Sequence, residues 1–350
     1  MLFNVEQDFG NRIVGYLVTD GFSGRGAVRI SSEGYSIAVV DADEPIDALV
    51  AAGRHETGRC GFVIDVPGLG ALTRLEIRDA ASGLLIYRRA PETEFVADRM
   101  IRLETNLVPL RRVDRAARRR FSYAYCDAER FGLESMTQMF HLPHALSLFV
   151  SARCHFPAFE SLLQKRFKLI CLVNDPFEEL AERLLFFRRV AGRGRLDARD
   201  VLTFKAAIEF AAGLPLASDA RLRREFAHIG YDAARPLHNP LVRQLATANA
   251  QELPRSGSLT MALDILASFD LVGLRAEGAQ FASGLSALLG AADDIVPEIP
   301  RCTAAIELAA RLRQIPAVHD LLELDIELYG RVAEAYRNAA RGLSLSGAGG

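Results

Sequence analysis

Six residues at 168–173 (KLICLV) run into Asp175-Pro176 and then into an amphipathic stretch at 177–190. No other pattern in the chain restricts its fold as much. A continuous apolar run of that length reads as a strand buried on both faces, the mark of a central strand in a parallel sheet. Asp175 suits a helix N-cap, Pro176 the first helical position, and Glu178 and Glu179 the first turn. Residues 121–126 read as a second buried strand and 131–150 as helical in rhythm. Beyond 197 the chain is almost wholly helical, with segments at 200–212, 259–268, 276–289, 303–314 and 317–339. This order predicts an α/β domain over 98–341, with a parallel sheet and a helical C-terminal part.

The first 92 residues read differently. Short segments rich in Val, Ile, Leu, Phe and Tyr lie at 11–18, 26–30, 35–40, 60–66, 72–77 and 84–87. Turn chemistry separates them: Thr19-Asp20-Gly21, Ser32-Glu33-Gly34, Pro67-Gly68 and Ala81-Ser82-Gly83. That spacing predicts a small antiparallel β-sandwich over 1–92. Residues 89–98, with Pro91, read as a linker. The Gly-rich end at 342–350 reads as a disordered tail.

The formal net charge of −2 gives no general attraction to nucleic acid or to an anionic membrane. No uncharged apolar stretch is long enough to span a bilayer. The N-terminus carries Glu6 and Asp8 and does not read as a secretory signal, so a cytoplasmic location is expected. Five scattered cysteines without C-x-x-C spacing read as reduced, buried thiols and give no zinc pattern. His141 and His144 share a His-x-x-His spacing, but Pro143 argues against the regular helix a metal pair needs. No metal is expected. Only three lysines occur, none before Lys165. Six arginines crowd one segment: Arg111, Arg112, Arg115, Arg118, Arg119 and Arg120. They read either as a solvated, internally paired face or as a patch for an anionic glycan, a nucleotide-sugar phosphate or lipid.

Three stretches together resemble the bacterial carbohydrate sulfotransferases, relatives of the heparan sulfate 2-O-sulfotransferases. The first is 168–183 (KLICLVNDPFEELAER). The second is Cys154-His155-Phe156-Pro157. The third is a C-terminal string. It holds Asn239-Pro240-Leu241-Val242-Arg243-Gln244-Leu245, then 262–273 (ALDILASFDLVG), then Leu324-Asp325-Ile326-Glu327-Leu328-Tyr329. Residues 53–62 (GRHETGRCGF) resemble a motif in small β-modules fused to bacterial surface-glycan enzymes.

The resemblance implies a P-loop-like sulfotransferase fold serving surface-polysaccharide synthesis or modification. It implies the donor 3′-phosphoadenosine-5′-phosphosulfate, a glycan or polysaccharide acceptor, and other glycan-biosynthesis proteins as partners. It implies His155 as general base. The phosphate loop is expected after the strand near 121–125, with Arg130 as its cation, Gly132 in its turn and Ser135 on a phosphate. Asn174 and Asp175 are expected at the 3′-phosphate end. Asn239 and Arg243 match family positions near the nucleotide, or are structural.

The residues depart from that pattern. The loop at 126–135 has one glycine and no lysine, and it carries Asp127, Glu129 and Glu134. Asn174 and Glu179 stand where arginines are expected, and Glu182 where serine is. Each change removes positive charge or adds negative charge beside a polyanion, which opposes donor binding. Two readings stay open: a sulfotransferase-like protein that transfers a sulfuryl group to a sugar hydroxyl, and a non-catalytic glycan-binding or scaffolding protein. His155 likewise reads as a base or as a packed histidine.

Overall fold

Alternation of apolar and polar side chains builds the N-terminal sheets. In β1 (Leu2–Asp8), β2 (Ile13–Val18) and β3 (Gly26–Ser32), Phe3, Val5, Ile13, Leu17, Val28 and Ile30 turn inward. β4 (Tyr35–Ala42), β5 (Glu44–Pro45), the short helix α1 (Asp47–Ala51), β6 (Arg59–Ile64), β7 (Leu75–Asp79) and β8 (Leu85–Arg89) follow. They form two four-stranded antiparallel sheets, β1-β2-β6-β5 and β4-β3-β7-β8. These coordinates are a computed structural model, which describes residues 1–19, 24–193, 198–290 and 299–346.

Six strands lie within a few residues of their expected places. β1 lies outside the expected segments; its alternation breaks after Val5, where the register against β2 shifts.

The α/β part begins with β9 (Arg99–Leu103), α2 (Arg111–Arg120), β10 (Tyr123–Tyr125), α3 (Leu133–His141) and β11 (Leu148–Ala152). It continues with α4 (Glu160–Leu163), β12 (Lys168–Val173) and α5 (Pro176–Arg193). Helices α6 (Ala198–Gly213), α7 (Asp219–Ala227), α8 (Tyr231–Ala234), α9 (Pro240–Ala246) and α10 (Ser258–Ala267) come next. β13 (Leu271–Leu274), α11 (Gly278–Leu288), α12 (Thr303–Leu312) and α13 (Pro316–Ser346) complete the chain. The sheet is parallel and five-stranded, in the order β10-β11-β9-β12-β13. Gly273 in β13 is required by packing, since a Cβ there would fall 2.3 Å from Cδ2 of Phe281.

Two expectations are corrected. The helix over 131–150 ends at His141, and its second half is the strand β11. Pro143 lies between them and accounts for the break. The tail over 342–350 is helical as far as Ser346, as the end of α13. Residues 347–350 lie outside those described.

The chain divides into two compact units. One comprises Met1–Arg102, Asp114–Arg153 and Lys165–Lys168, and the other Leu103–Val113, Cys154–Gln164 and Leu169–Gly350. In the first, Arg102 is 1% exposed and donates to Asp114 Oδ1 at 2.6 Å. In the second, α5 packs its apolar face into a helical core that includes Leu180, Leu184, Phe187, Leu222, Phe226, Leu308 and Leu312.

Candidate functional site

Open α/β sheets bind ligands beyond the carboxyl ends of their strands, where the chain order reverses. From β9 the chain crosses to β10 on one side, and from β12 to β13 on the other, so the reversal falls at these two strands. The loops that leave them are 104–110, which opens α2, and Asn174-Asp175, which opens α5. Both belong to the second unit. A loop in such a place presents backbone N–H groups suited to an anion.

Here those groups are already bonded to the protein's own carboxylates. Leu107 N–H donates to Glu179 Oε1 at 2.8 Å. Asn106 N–H donates to Glu104 Oε1 at 3.2 Å, and Leu110 N–H to Glu104 Oε2 at 3.1 Å. The side chains of Thr105 and Asn106 donate to the Leu172 carbonyl at 2.6 and 3.1 Å. Gln244 on α9 donates to the Glu104 carbonyl at 2.9 Å. Glu104 is 3% exposed, Asn106 1% and Glu179 6%. The arrangement is dry and hydrogen-bonded on several sides, which holds one geometry firmly.

Asn174 and Asp175 support the same closure. Asn174 Nδ2 lies 3.5 Å from Glu179 Oε2. Asp175 caps α5, accepting from the N–H groups of Phe177 and Glu178 at 3.0 and 3.2 Å. Each acidic group at this helix start has an arginine partner. Glu179 meets Arg183 at 2.8 Å, Glu182 meets Arg275 at 2.7 Å, Asp175 meets Arg313 at 2.7 Å, and Glu178 pairs with Arg301. Burial pushes the Glu182 carboxyl up from its ordinary value, and the Arg275 guanidinium opposes that rise.

His155 lies in the same unit. Its Nδ1 is 3.0 Å from Thr247 Oγ1, and the Thr247 hydroxyl donates to the Arg243 carbonyl at 2.8 Å. A hydroxyl proton given to that carbonyl leaves Nδ1 to donate in this contact; the roles of Nδ1 and Oγ1 follow the ring tautomer, and the ring is also bonded to the backbone of Arg243 and Thr247. Burial and then the Arg243 charge hold the imidazole below its usual pKa, hence neutral near pH 7. The ring has the protonation of a base.

The C-terminal motifs lock to one another. Asn239, in a left-handed backbone conformation (φ 41°), accepts from the N–H groups of Leu324 and Asp325 at 2.9 and 3.1 Å. Asp325 in return accepts from Leu241 and Val242 N–H at 3.0 and 2.8 Å, capping α9. Burial raises the Asp325 carboxyl to about 6. Arg243 is lowered to about 10 by burial and then by neighbouring Arg183, and it donates to the Arg235 carbonyl at 2.6 Å. Asn239 and Arg243 thus have structural partners.

No family model, curated protein or solved structure gives a significant match to this chain.

The remaining expected residues lie in the first unit. The strand before them, β10, is at the sheet edge. Arg130 is exposed and stacks on Phe131, its guanidinium carbon 4.4 Å from the ring centre. Gly132 (φ 84°) caps α3. Ser135 is 1% exposed, and its Oγ has no hydrogen-bond partner among the described residues. Glu129 accepts from Arg153 N–H at 3.0 Å, and Glu134 pairs with the Met1 amino group at 2.9 Å.

Sequence reading overlooked Glu104, Asn106 and Gln244. The available signal was a polar Glu-Thr-Asn triplet between the apolar residues of β9 and Pro109, which marks a strand-to-helix loop.

Proposed function

We propose that this chain is a non-catalytic, sulfotransferase-like protein of bacterial surface-polysaccharide synthesis, acting by binding glycan or by holding other biosynthetic proteins. In this reading the domain is P-loop-like, and the loop at 104–110 takes the place of its phosphate cradle. One observation carries the loss of activity: the carboxylate of Glu179 accepts the Leu107 N–H that a donor phosphate would need. A bound nucleotide would have to displace that carboxylate and the two bonds to Glu104. It would then leave buried acids without those partners, at a cost of about 1–3 kcal/mol for each unsatisfied group and more for a charged one. The glycan side of the reading is supported by the order of the three resembling stretches.

A catalytic reading draws on one further observation, the half-buried imidazole of His155, which burial holds below its usual pKa. A base of that kind could take the proton of a sugar hydroxyl.

Calorimetry with 3′-phosphoadenosine-5′-phosphate, run beside a panel of oligosaccharides, tests the proposal. No heat with millimolar nucleotide, together with binding of a saccharide, is the expected pair of results. Micromolar nucleotide binding would overturn it. Transfer of labelled sulfate that vanishes in His155→Ala would establish the catalytic reading instead.

A further inference from the structure

Four arginines line one small cavity in the first unit: Arg78, Arg88, Arg118 and Arg130. Arg78 and Arg88 come from β7 and β8, Arg118 from the end of α2, and Arg130 from the turn after β10. Leu84, Leu85, Tyr125 and Phe131 supply apolar walls. The volume is about 130 Å³, well under the roughly 300–1,000 Å³ of sites for drug-sized ligands. A cavity of that size takes a charged group, not a whole nucleotide.

The charges around it do not balance. Glu76 is shared by two of the arginines, accepting from Arg78 Nε at 2.8 Å and pairing also with Arg88. Burial alone would raise the Glu76 carboxyl, but the Arg88 and Arg78 guanidinium groups outweigh it and hold it below the usual range. Arg118 makes a 3.5 Å contact from Nε to Cys126 Sγ. Burial pushes that thiol up, so it is neutral and leaves the Arg118 charge uncancelled. Asp114 and Asp127 act on Arg118 through their fields, and Asp114 is committed to Arg102. Arg130 has no carboxylate partner among the described residues and rests on Phe131. Both Arg118 and Arg130 are exposed, with guanidinium donors to spare. Planar guanidinium forks match tetrahedral oxyanions in pairs, which a set of lysines would not do.

We propose that this cavity binds the phosphate or sulfate group of a small monoester, such as a phosphorylated or sulfated sugar. Arg118 and Arg130 grip the group, and Arg78 and Arg88, steadied by Glu76, complete the positive wall. Leu84, Leu85 and Phe131 face the part of the molecule that carries the group. None of these residues belongs to the loop at 104–110 except through the chain itself, so the inference stands apart from the reading of that loop.

The test is calorimetry on the full chain at constant ionic strength, with four probes: inorganic phosphate, inorganic sulfate, glucose 6-phosphate and glucose 6-sulfate. At least one ester should bind, more tightly than its inorganic anion, and the tighter ester identifies the source of the group. Arg118→Gln with Arg130→Gln should weaken binding about tenfold or more, since charge-assisted bonds are lost. Arg12→Gln, an exposed arginine outside the cavity, should leave binding unchanged. Thermal melting should show the variants folded. If the double variant melts early, Arg130→Gln alone decides, because that guanidinium makes no hydrogen bond among the described residues. Failure of all four probes to bind, or binding undiminished by these substitutions, would overturn the proposal.

Discussion

Replacing Glu179 with alanine opens the loop at 104–110 from within. The carboxylate accepts from Leu107 N–H and from Arg183 Nε, both at 2.8 Å, and all three groups are buried. Alanine leaves a buried guanidinium without its carboxylate, a loss of about 3–5 kcal/mol for a broken buried pair. For a chain of 350 residues each kcal/mol lowers Tm by roughly 1–2 °C, which gives a fall of roughly 3–10 °C. The vacated loop then lacks a carboxylate beside the buried Arg183 guanidinium, a place that suits a small oxyanion. Sulfate should therefore restore part of the lost Tm in Glu179→Ala and do less for the wild type. At a concentration one hundred times its Kd, the ion would return about 2.7 kcal/mol. Differential scanning calorimetry, with sodium sulfate against sodium chloride at matched ionic strength, reads both effects. A loss under about 1 kcal/mol would mean that Glu179 does not fill the loop in any energetic sense. An equal sulfate response in the two proteins would refute the idea that the carboxylate stands in for a ligand.

Two further outcomes follow from buried charges elsewhere. The Asp325 carboxyl, raised by burial to about 6 from the ordinary 3.8, binds its proton more tightly folded than unfolded. Its contribution to stability is therefore full below pH 4 and is lost as pH rises through 6, by about 3 kcal/mol at most. The stability of Asp325→Asn relative to wild type, measured by urea unfolding, should rise between pH 4 and 7; a flat or falling difference would reverse the assigned shift. Asp114→Ala removes the carboxylate that the buried Arg102 donates to and should cost about 3–5 kcal/mol, whereas Arg102→Met with Asp114→Leu should recover most of it. If the double variant is as unstable as the single one by the same unfolding measurement, the pair is not an isolated exchange of charge for packing.

The Arg102–Asp114 pair also explains what could be read in advance and what could not. KLICLV was legible as a central strand because every inward position is apolar, and β12 lies where expected. The neighbouring strand β9 was not, because Arg99 and Arg102 break its apolar run. Arg102 is buried against Asp114, which comes back from the following helix to meet it. That is a tertiary fact with no local signature. The six N-terminal strands were legible for the opposite reason: glycine, proline and serine turns punctuate them, and turns are local. The helix over 131–150 ran too far because LFVSA carries no periodicity of its own, and Pro143 was the one residue that argued for a stop.

The expected site residues divide between the two units: Arg130, Gly132 and Ser135 lie in the first, and His155, Asn174 and Asp175 in the second. Asn174, Glu179 and Glu182 looked like charges that would repel a polyanion. In the folded second unit the acids are matched by Arg183, Arg275, Arg301 and Arg313, three of them contributed from about 90 to 140 residues further along the chain. The start of α5 therefore carries about as much positive as negative charge, and repulsion alone would not keep a nucleotide out. In the proposed reading it is the hydrogen-bond inventory that opposes a nucleotide: Leu107, Asn106 and Leu110 have each given their N–H to a carboxylate already in place. A lysine introduced into the loop would add charge without freeing a donor. Removing Glu179 and Glu104 frees the donors first, and only then does an added cation have an anion to hold.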